Sequence, residues 1–391
     1  MIHSRGPLNV ELARPWQSRS TMKWSWKLGR LFGIDVYMHA TFMVLLGWVA
    51  LSAYLRERSA HAMIAGVLFT SAIFGTVVLH ELGHALTARR FGIRTRDITL
   101  LPIGGLARLE RMPERPGQEL LVALAGPAVN VAIAVGLFAI LSATGQTIVP
   151  AAPSPIGAEP FLTRLFWVNV SLAIFNLIPA FPMDGGRALR ALLAFGGDYV
   201  RATQVAAKLG QGIALLFGLL GLLFNPMLAF IALFVWIGAA GEAAGVEAKA
   251  SLHGLPTYAA METQFRALSV IDTLANAGKC LLGGSQVDFP VLDGHGGLVG
   301  ILTRDALLAG LAEAGPEATV ESIMDRKFAV AHPAEMLDVS LARLEDSGGR
   351  SMPVLADGRV VGMVTAENVG ELLMIRGALR LPHPRAPLKF A

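Results

Sequence analysis

Eighteen consecutive residues, Ala62–Leu79, carry no charged side chain, and they run straight into His80-Glu81-Leu82-Gly83-His84. A stretch that long and that apolar approaches the roughly 20 residues needed to cross the hydrocarbon core of a bilayer. The five residues behind it have the pattern H-E-x-x-H. On a helix, His80 and His84 lie one turn apart on one face, where two imidazoles can grip one Zn²⁺. Glu81 lies beside them and can take a proton from a water. Two histidines and a glutamate in a membrane are costly unless they coordinate or pair, so the apolar setting raises the weight of the motif.

Composition agrees with the membrane setting. Hydrophobic residues make up 53% of the 391-residue chain and charged residues 16%, against about 25% charged in ordinary soluble domains. Mean hydropathy is +0.54. The net charge of +4 is small, but residues 1–30 hold six Lys/Arg and one Glu. A basic flank before a first apolar span marks the cytoplasmic side and does not imply a nucleic-acid partner. Residues 1–21 are polar and aperiodic and read as a disordered extension, or as a misplaced start ahead of Met22. No cleavable signal peptide is evident. Cys280 is the sole cysteine, so no internal disulfide forms, as in a reducing compartment.

Six apolar segments follow, at about 36–55, 62–88, 120–142, from 161 to a break at Pro179 and Pro182, 207–224 and 227–241. The connection between the second and third contains Arg89, Arg90, Arg94, Arg96, Arg108, Arg111 and Arg115, whereas residues 143–163 contain no Lys or Arg. Arg187, Arg190, Arg201 and Lys208 follow the fourth. This alternation predicts a multi-pass protein of the cell membrane with both termini cytoplasmic. Between the second and third spans, Leu100–Ala107 is apolar but too short to cross. It is either a strand or hairpin dipping in against protein, with Gly104 and Gly105 allowing close backbone approach, or a plain interfacial loop.

Beyond Gly245 the long apolar runs stop and a repeat begins. Phe289-Pro290-Val291-Leu292 with Leu298–Thr303 returns as Met352-Pro353-Val354-Leu355 with Val360–Thr365. Each copy reads as a βαββα-like unit, preceded by an amphipathic helix ending at Gly278 or Gly348. The Pro-rich basic residues 377–391 read as a flexible tail.

Zinc needs a third protein ligand. Asp184 is the only acid in the fourth apolar segment. The prolines before it break the helix, and Gly185-Gly186 lets the backbone turn it inward. His80 lies roughly 27 Å into the second span at helical rise, and Asp184 reaches a similar depth in the fourth, toward the cytoplasmic side.

His80–His84 in a span, the Gly104-Gly105 segment, Gly126-Pro127 with Asn130, and Asn176 followed by Pro182-Met183-Asp184-Gly185 together resemble the site-2 protease family of intramembrane zinc metalloproteases. The resemblance covers about residues 22–245. It implies one Zn²⁺ per chain on His80, His84 and Asp184, with Glu81 as general base. It further implies that Asn176 stabilises the oxyanion and that Asn130 serves substrate binding. His39 resembles a position often seen as His and reads as a hydrogen-bonded structural residue. The C-terminal repeat looks like a pair of CBS domains, about 250–312 and 317–376, as in one subgroup of that family. CBS pairs bind adenine nucleotides through Thr-x-x-Asp. Here the first copy has Thr303 with Asp305 one place early, and the second has Thr365 with Asn368 in place of Asp. Two readings stay open, a nucleotide site or a structural module supporting a homodimer.

The expected architecture is therefore a polytopic α-helical membrane protein of about six transmembrane helices with a C-terminal α/β cytoplasmic tandem CBS module. Its expected divisions are a basic segment 1–35, a zinc protease domain 36–245, the CBS pair 250–376 and the tail. The expected activity is hydrolysis of peptide bonds within or near transmembrane segments of membrane-protein substrates, regulated intramembrane proteolysis, with the CBS pair as regulator. Gly104 and Gly105 would hold the unwound substrate by strand addition. The competing class is a CBS-regulated transporter or channel whose His, Glu and Asp line an ion path, but the spans show no paired half-repeats. A degenerate, scaffold-only protease would not keep His80, Glu81, His84 and Asp184.

Overall fold

The computed structural model describes residues 24–110, 113, 115–146 and 160–380. Residues 1–21, Met22, most of the 143–163 connection and the tail beyond Arg380 lie outside them. The chain forms two compact units, one within Thr21–Glu247 and one within Ala248–Ala391.

In the first unit, β1 (Ser25–Leu31) and β2 (Ile34–His39) precede α1 (Ala40–Glu57) and α2 (Ala60–Arg90). Then come β3 (Thr95–Leu101), β4 (Gly104–Leu109), α3 (Pro116–Ala143), α4 (Phe161–Leu177), α5 (Asp184–Ala194), α6 (Tyr199–Leu223) and α7 (Pro226–Leu252). Helices α1, α2, α3, α6 and α7 are long and apolar enough to cross a membrane, and α4 is a shorter apolar helix of 17 residues. The first apolar segment, expected as helix from residue 36, opens instead as β2. His39 ends that strand and caps α1, its Nδ1 accepting from the Thr41 N–H at 3.3 Å, which is the structural role expected of it.

The four strands form one sheet in the order β1-β2-β3-β4, with β2 and β3 parallel and the other pairs antiparallel. Of the two readings for Leu100–Ala107, the structure takes the hairpin, with Leu100 opposite Gly105 and Leu101 opposite Gly104. Gly104 has φ +141°, a conformation that favours glycine. Ile34, Val36, Ile98 and Leu100 pack on Val78, Leu82 and Ala85. The last three are one stripe of α2, so the sheet covers the face of the metal-motif helix that the histidines do not use. Asp97 of β3 is held by Arg108 of β4 through Nε at 2.9 Å and a second, paired contact.

The prolines end α4 at Leu177 as expected, and Asp184 opens a separate helix, α5. The glycines after it act by size. A Cβ on Gly185 would lie 2.5 Å from the Leu177 carbonyl group, and one on Gly186 2.5 Å from the Phe181 nitrogen. They let the first turn of α5 fold against the 177–181 backbone. Arg190 of α5 is wholly buried. Its Nε donates to Glu119 of α3 at 2.8 Å and its Nη1 to Glu242 of α7 at 2.5 Å.

The second unit holds β5 (Leu268–Ser269), α8 (Leu274–Leu282), β6 (Phe289–Leu292), β7 (Leu298–Leu302), α9 (Arg304–Glu313), α10 (Leu337–Ser347), β8 (Ser351–Ala356), β9 (Arg359–Thr365) and α11 (Ala366–Arg380). Gly278 lies inside α8, which runs on to a cap at Gly283, whereas α10 ends at Gly348 as expected. Each copy has its own apolar core, one around Phe289, Val291 and Leu302, the other around Met352, Val354 and Val364. Residues 377–380, read as tail, continue α11.

Candidate metal centre

The apolar run of α2 leads into the two turns that carry His80 and His84. Successive positions are assigned to different neighbours: Val78 and Leu82 to the sheet, Val77 and Glu81 to β4, Gly83 to α3, and His80 and His84 to Asp184. A Cβ on Gly83 would lie 2.8 Å from the Ala125 carbonyl oxygen, so the glycine within the motif is the contact that seats α2 on α3.

His80, His84 and Asp184 are each about 93% buried. The two Nε2 atoms stand 3.0 Å apart, and each is 3.1 Å from Asp184 Oδ2. The other ring nitrogens are committed elsewhere. His84 Nδ1 donates to the Val122 carbonyl at 2.7 Å, and His80 Nδ1 is hydrogen-bonded to Asn130 Oδ1. A ring nitrogen that donates leaves its partner with a lone pair. With both imidazoles neutral, two lone pairs and a carboxylate converge there, an arrangement that a buried cation would satisfy. For Zn²⁺ bonded at about 2.0 Å, tetrahedral ligand atoms stand roughly 3.3 Å apart, close to the triangle observed. Gly126 of α3 leaves the room: a Cβ there would lie 2.6 Å from His80 Nε2 and closer still to His84 Nε2. The donor set and the cradle fit the metal.

Glu81 is half-buried and faces the edge strand β4. A Cβ on Gly105 would lie 2.8 Å from Glu81 Cγ and 3.4 Å from its Oε1, so the glycine lets the strand backbone pass directly over the carboxylate. Gly104 stands at the turn before it. Asn176 lies in the last turn of α4, its Nδ2 donating to the Leu172 carbonyl at 3.0 Å. Asn130, read from the sequence as a substrate-binding residue, is completely buried. Its oxygen meets His80, and its Nδ2 donates to Asn169 Oδ1 at 3.0 Å. The Gly126-Pro127 motif marked Gly126 but not this contact, and nothing marked Asn169, because both contacts are made across helices distant in sequence.

In the second unit, Thr303 caps α9, accepting from the Ala306 N–H at 3.2 Å. Asp305 is exposed and pairs at 3.7 Å with both Arg304 and Arg350. Thr365 accepts from the Asn368 N–H at 3.0 Å and bonds the Asn368 side chain, so that pair is used at the start of α11.

Residues 68–219 match the sequence model of peptidase family M50, and residues 320–374 match that of the CBS domain. The chain is 37% identical over 227 residues to a zinc metalloprotease of Methanocaldococcus jannaschii, covering 58% of this chain and 62% of that protein. It is 30% identical to Rip3 of Mycobacterium tuberculosis over 383 residues, 91% of this chain and 94% of that one. Among solved structures it is similar to the site-2 protease from M. jannaschii, at 37% identity and TM-score 0.42, covering 56% of this chain and 95% of that one.

Proposed function

Because the chain belongs to peptidase family M50, the site-2 protease family of zinc metalloproteases, we propose that it hydrolyses peptide bonds within or near the transmembrane segments of other membrane proteins. The observation that carries this reading is the convergence of His80 Nε2, His84 Nε2 and Asp184 Oδ2 inside an apolar helical bundle, with Glu81 beside them. Those three residues would hold the zinc ion. When bound, it supplies a Lewis acid that polarises the scissile carbonyl and makes water a better nucleophile at neutral pH.

The protein's own groups supply the rest. Glu81 takes the proton from the attacking water and returns it to the leaving amine. Asn176 donates to the oxyanion with an N–H of its amide, a contact of a kind worth about 3 kcal/mol. Asn130, expected to serve substrate binding, has no exposed surface and meets His80, which favours a role in orienting that ring. A transmembrane helix hides its peptide carbonyls, so the substrate must unwind first. The outer edge of β4, unpaired among the described residues and with Gly105 running over Glu81, is a template for an extended segment.

The five long apolar helices and the short α4 together support six crossings. With arginines gathered in the connection between α2 and α3, the reading is a cell-membrane protein with both termini cytoplasmic. The C-terminal unit is read as a tandem CBS module that regulates cleavage. Thr303 and Asp305, with Thr365 and Asn368, are its candidate adenine-nucleotide contacts. Cut-site mapping tests the main proposal. Single-span reporter proteins incubated with the purified enzyme should be cut within or next to the span, as read by mass spectrometry, and leave soluble unstructured protein intact. Cleavage confined to soluble regions would overturn it.

A further inference from the structure

The two candidate zinc histidines are oriented by different means. His84 is fixed directly, because a backbone carbonyl can only accept, so Val122 forces the proton onto His84 Nδ1 and the lone pair onto Nε2. His80 meets a side-chain amide instead, and an amide can offer either an acceptor oxygen or a donor nitrogen. If Asn130 presented its NH₂ group, His80 Nδ1 would have to accept and Nε2 would carry the proton, closing that nitrogen to a metal. Asn130 alone leaves that choice open.

We propose that Asn169 is a positioning residue that makes the choice. Its Nδ2 donates to the Leu165 carbonyl at 2.8 Å, an atom that can only accept. That fixes Asn169 Oδ1 toward Asn130, where it accepts from Asn130 Nδ2 at 3.0 Å. Asn130 Oδ1 is thereby fixed toward His80 Nδ1, which must donate, and the lone pair falls on Nε2 facing Asp184. Each link transmits one donor-or-acceptor decision from the backbone of α4 to the metal face of α2. Asn130 and Asn169 are both completely buried, so water cannot substitute for a missing link. His80 is thus tied to a backbone carbonyl through two amides, as His84 is tied to one directly.

The inference rests on the reading of His80, His84 and Asp184 as zinc ligands, and the test separates the two. Zinc affinity of the full-length protein is measured by competition with a chromophoric chelator, alongside the unfolding midpoint of the metal-free protein. Groups that orient a metal's histidines typically contribute about 10–100-fold in affinity. Asn169→Leu, which can neither accept from Asn130 nor anchor to Leu165, should weaken zinc binding by about tenfold. Asn169→Asp keeps an acceptor facing Asn130 and should stay within about threefold of wild type. Asn130→Asp presents oxygen to His80 however it is turned, so adding Asn169→Leu to it should cost no further affinity. A merely structural Asn169 would cost the same factor in both backgrounds, and that result would overturn the proposal, as would an Asn169→Leu protein that binds zinc like wild type. Should Asn169→Leu not fold alone, the comparison of Asn169→Asp with Asn130→Asp/Asn169→Leu decides: both near wild type supports the relay, either weakened tenfold overturns it. Wild-type protein that takes up no zinc would instead refute the ligand assignment itself.

Discussion

At the scale of single residues, the site depends on absent side chains as much as on present ones. Gly126 gives the three ligand atoms their room, and its substitution is a sharp test because it removes no functional group. Gly126→Ala would set a methyl against both Nε2 atoms. Displacements of about 1 Å in such sites cost about 100-fold in rate, and we expect at least that loss, with metal content falling well below one zinc per chain while the protein remains folded. Gly105→Val probes the other side. Its side chain would press on Glu81, so cleavage should fall with zinc content unchanged; metal loss in Gly105→Val would mean that β4 supports the ligands and not the base. The convergence of His80, His84 and Asp184 was readable from the sequence, through the H-E-x-x-H pattern and the lone acid in the fourth segment. Gly126, Asn130 and Asn169 were not readable in these roles. A glycine or amide in an apolar helix carries no periodic signal, and its meaning comes from whichever helix crosses it.

At the scale of elements, α5 must hold Asp184 in register with α2. Arg190, two turns along α5, ties it to α3 and α7 through Glu119 and Glu242. Removing one member of a buried ion group leaves the others uncompensated, typically at about 3–5 kcal/mol. Arg190→Met should destabilise the protein by about that amount in equilibrium unfolding, and adding Glu119→Gln should recover part of it. An Arg190→Met protein as stable as wild type would show that packing alone holds α5. In sequence, Arg190 looks like one more cytoplasmic positive charge. Only the fold reveals that it is buried. The strands β1 and β2 were missed for a related reason. Ile34-Asp35-Val36-Tyr37 alternates as a strand does, but the apolar run that follows absorbs it into an apparent first span. The hairpin at Gly104 and Gly105 was visible as one of two readings, because a segment too short to cross must either pair or stay at the interface.

Across the whole molecule, charge rises and long apolar runs end where the second compact unit begins, so the division into two units was legible in composition alone. The repeat was legible too, because the Pro-Val-Leu strands recur with the same burial in both copies. A nucleotide site was not, since Thr365 and Asn368 serve α11 and Asp305 pairs with arginines. If the module senses adenine nucleotides, saturating ATP at about 100 times its Kd should stabilise it by about 2.7 kcal/mol. Cleavage by the full chain should then respond to ATP, while a chain ending at residue 247 should not. Equal cleavage by both, with and without ATP, would remove the regulatory role. Glu81→Gln asks whether Glu81 activates water at a zinc held by His80, His84 and Asp184. This variant should keep one zinc per chain and leave a transmembrane reporter uncut. Cleavage by zinc-loaded Glu81→Gln at the wild-type rate would contradict that role of Glu81.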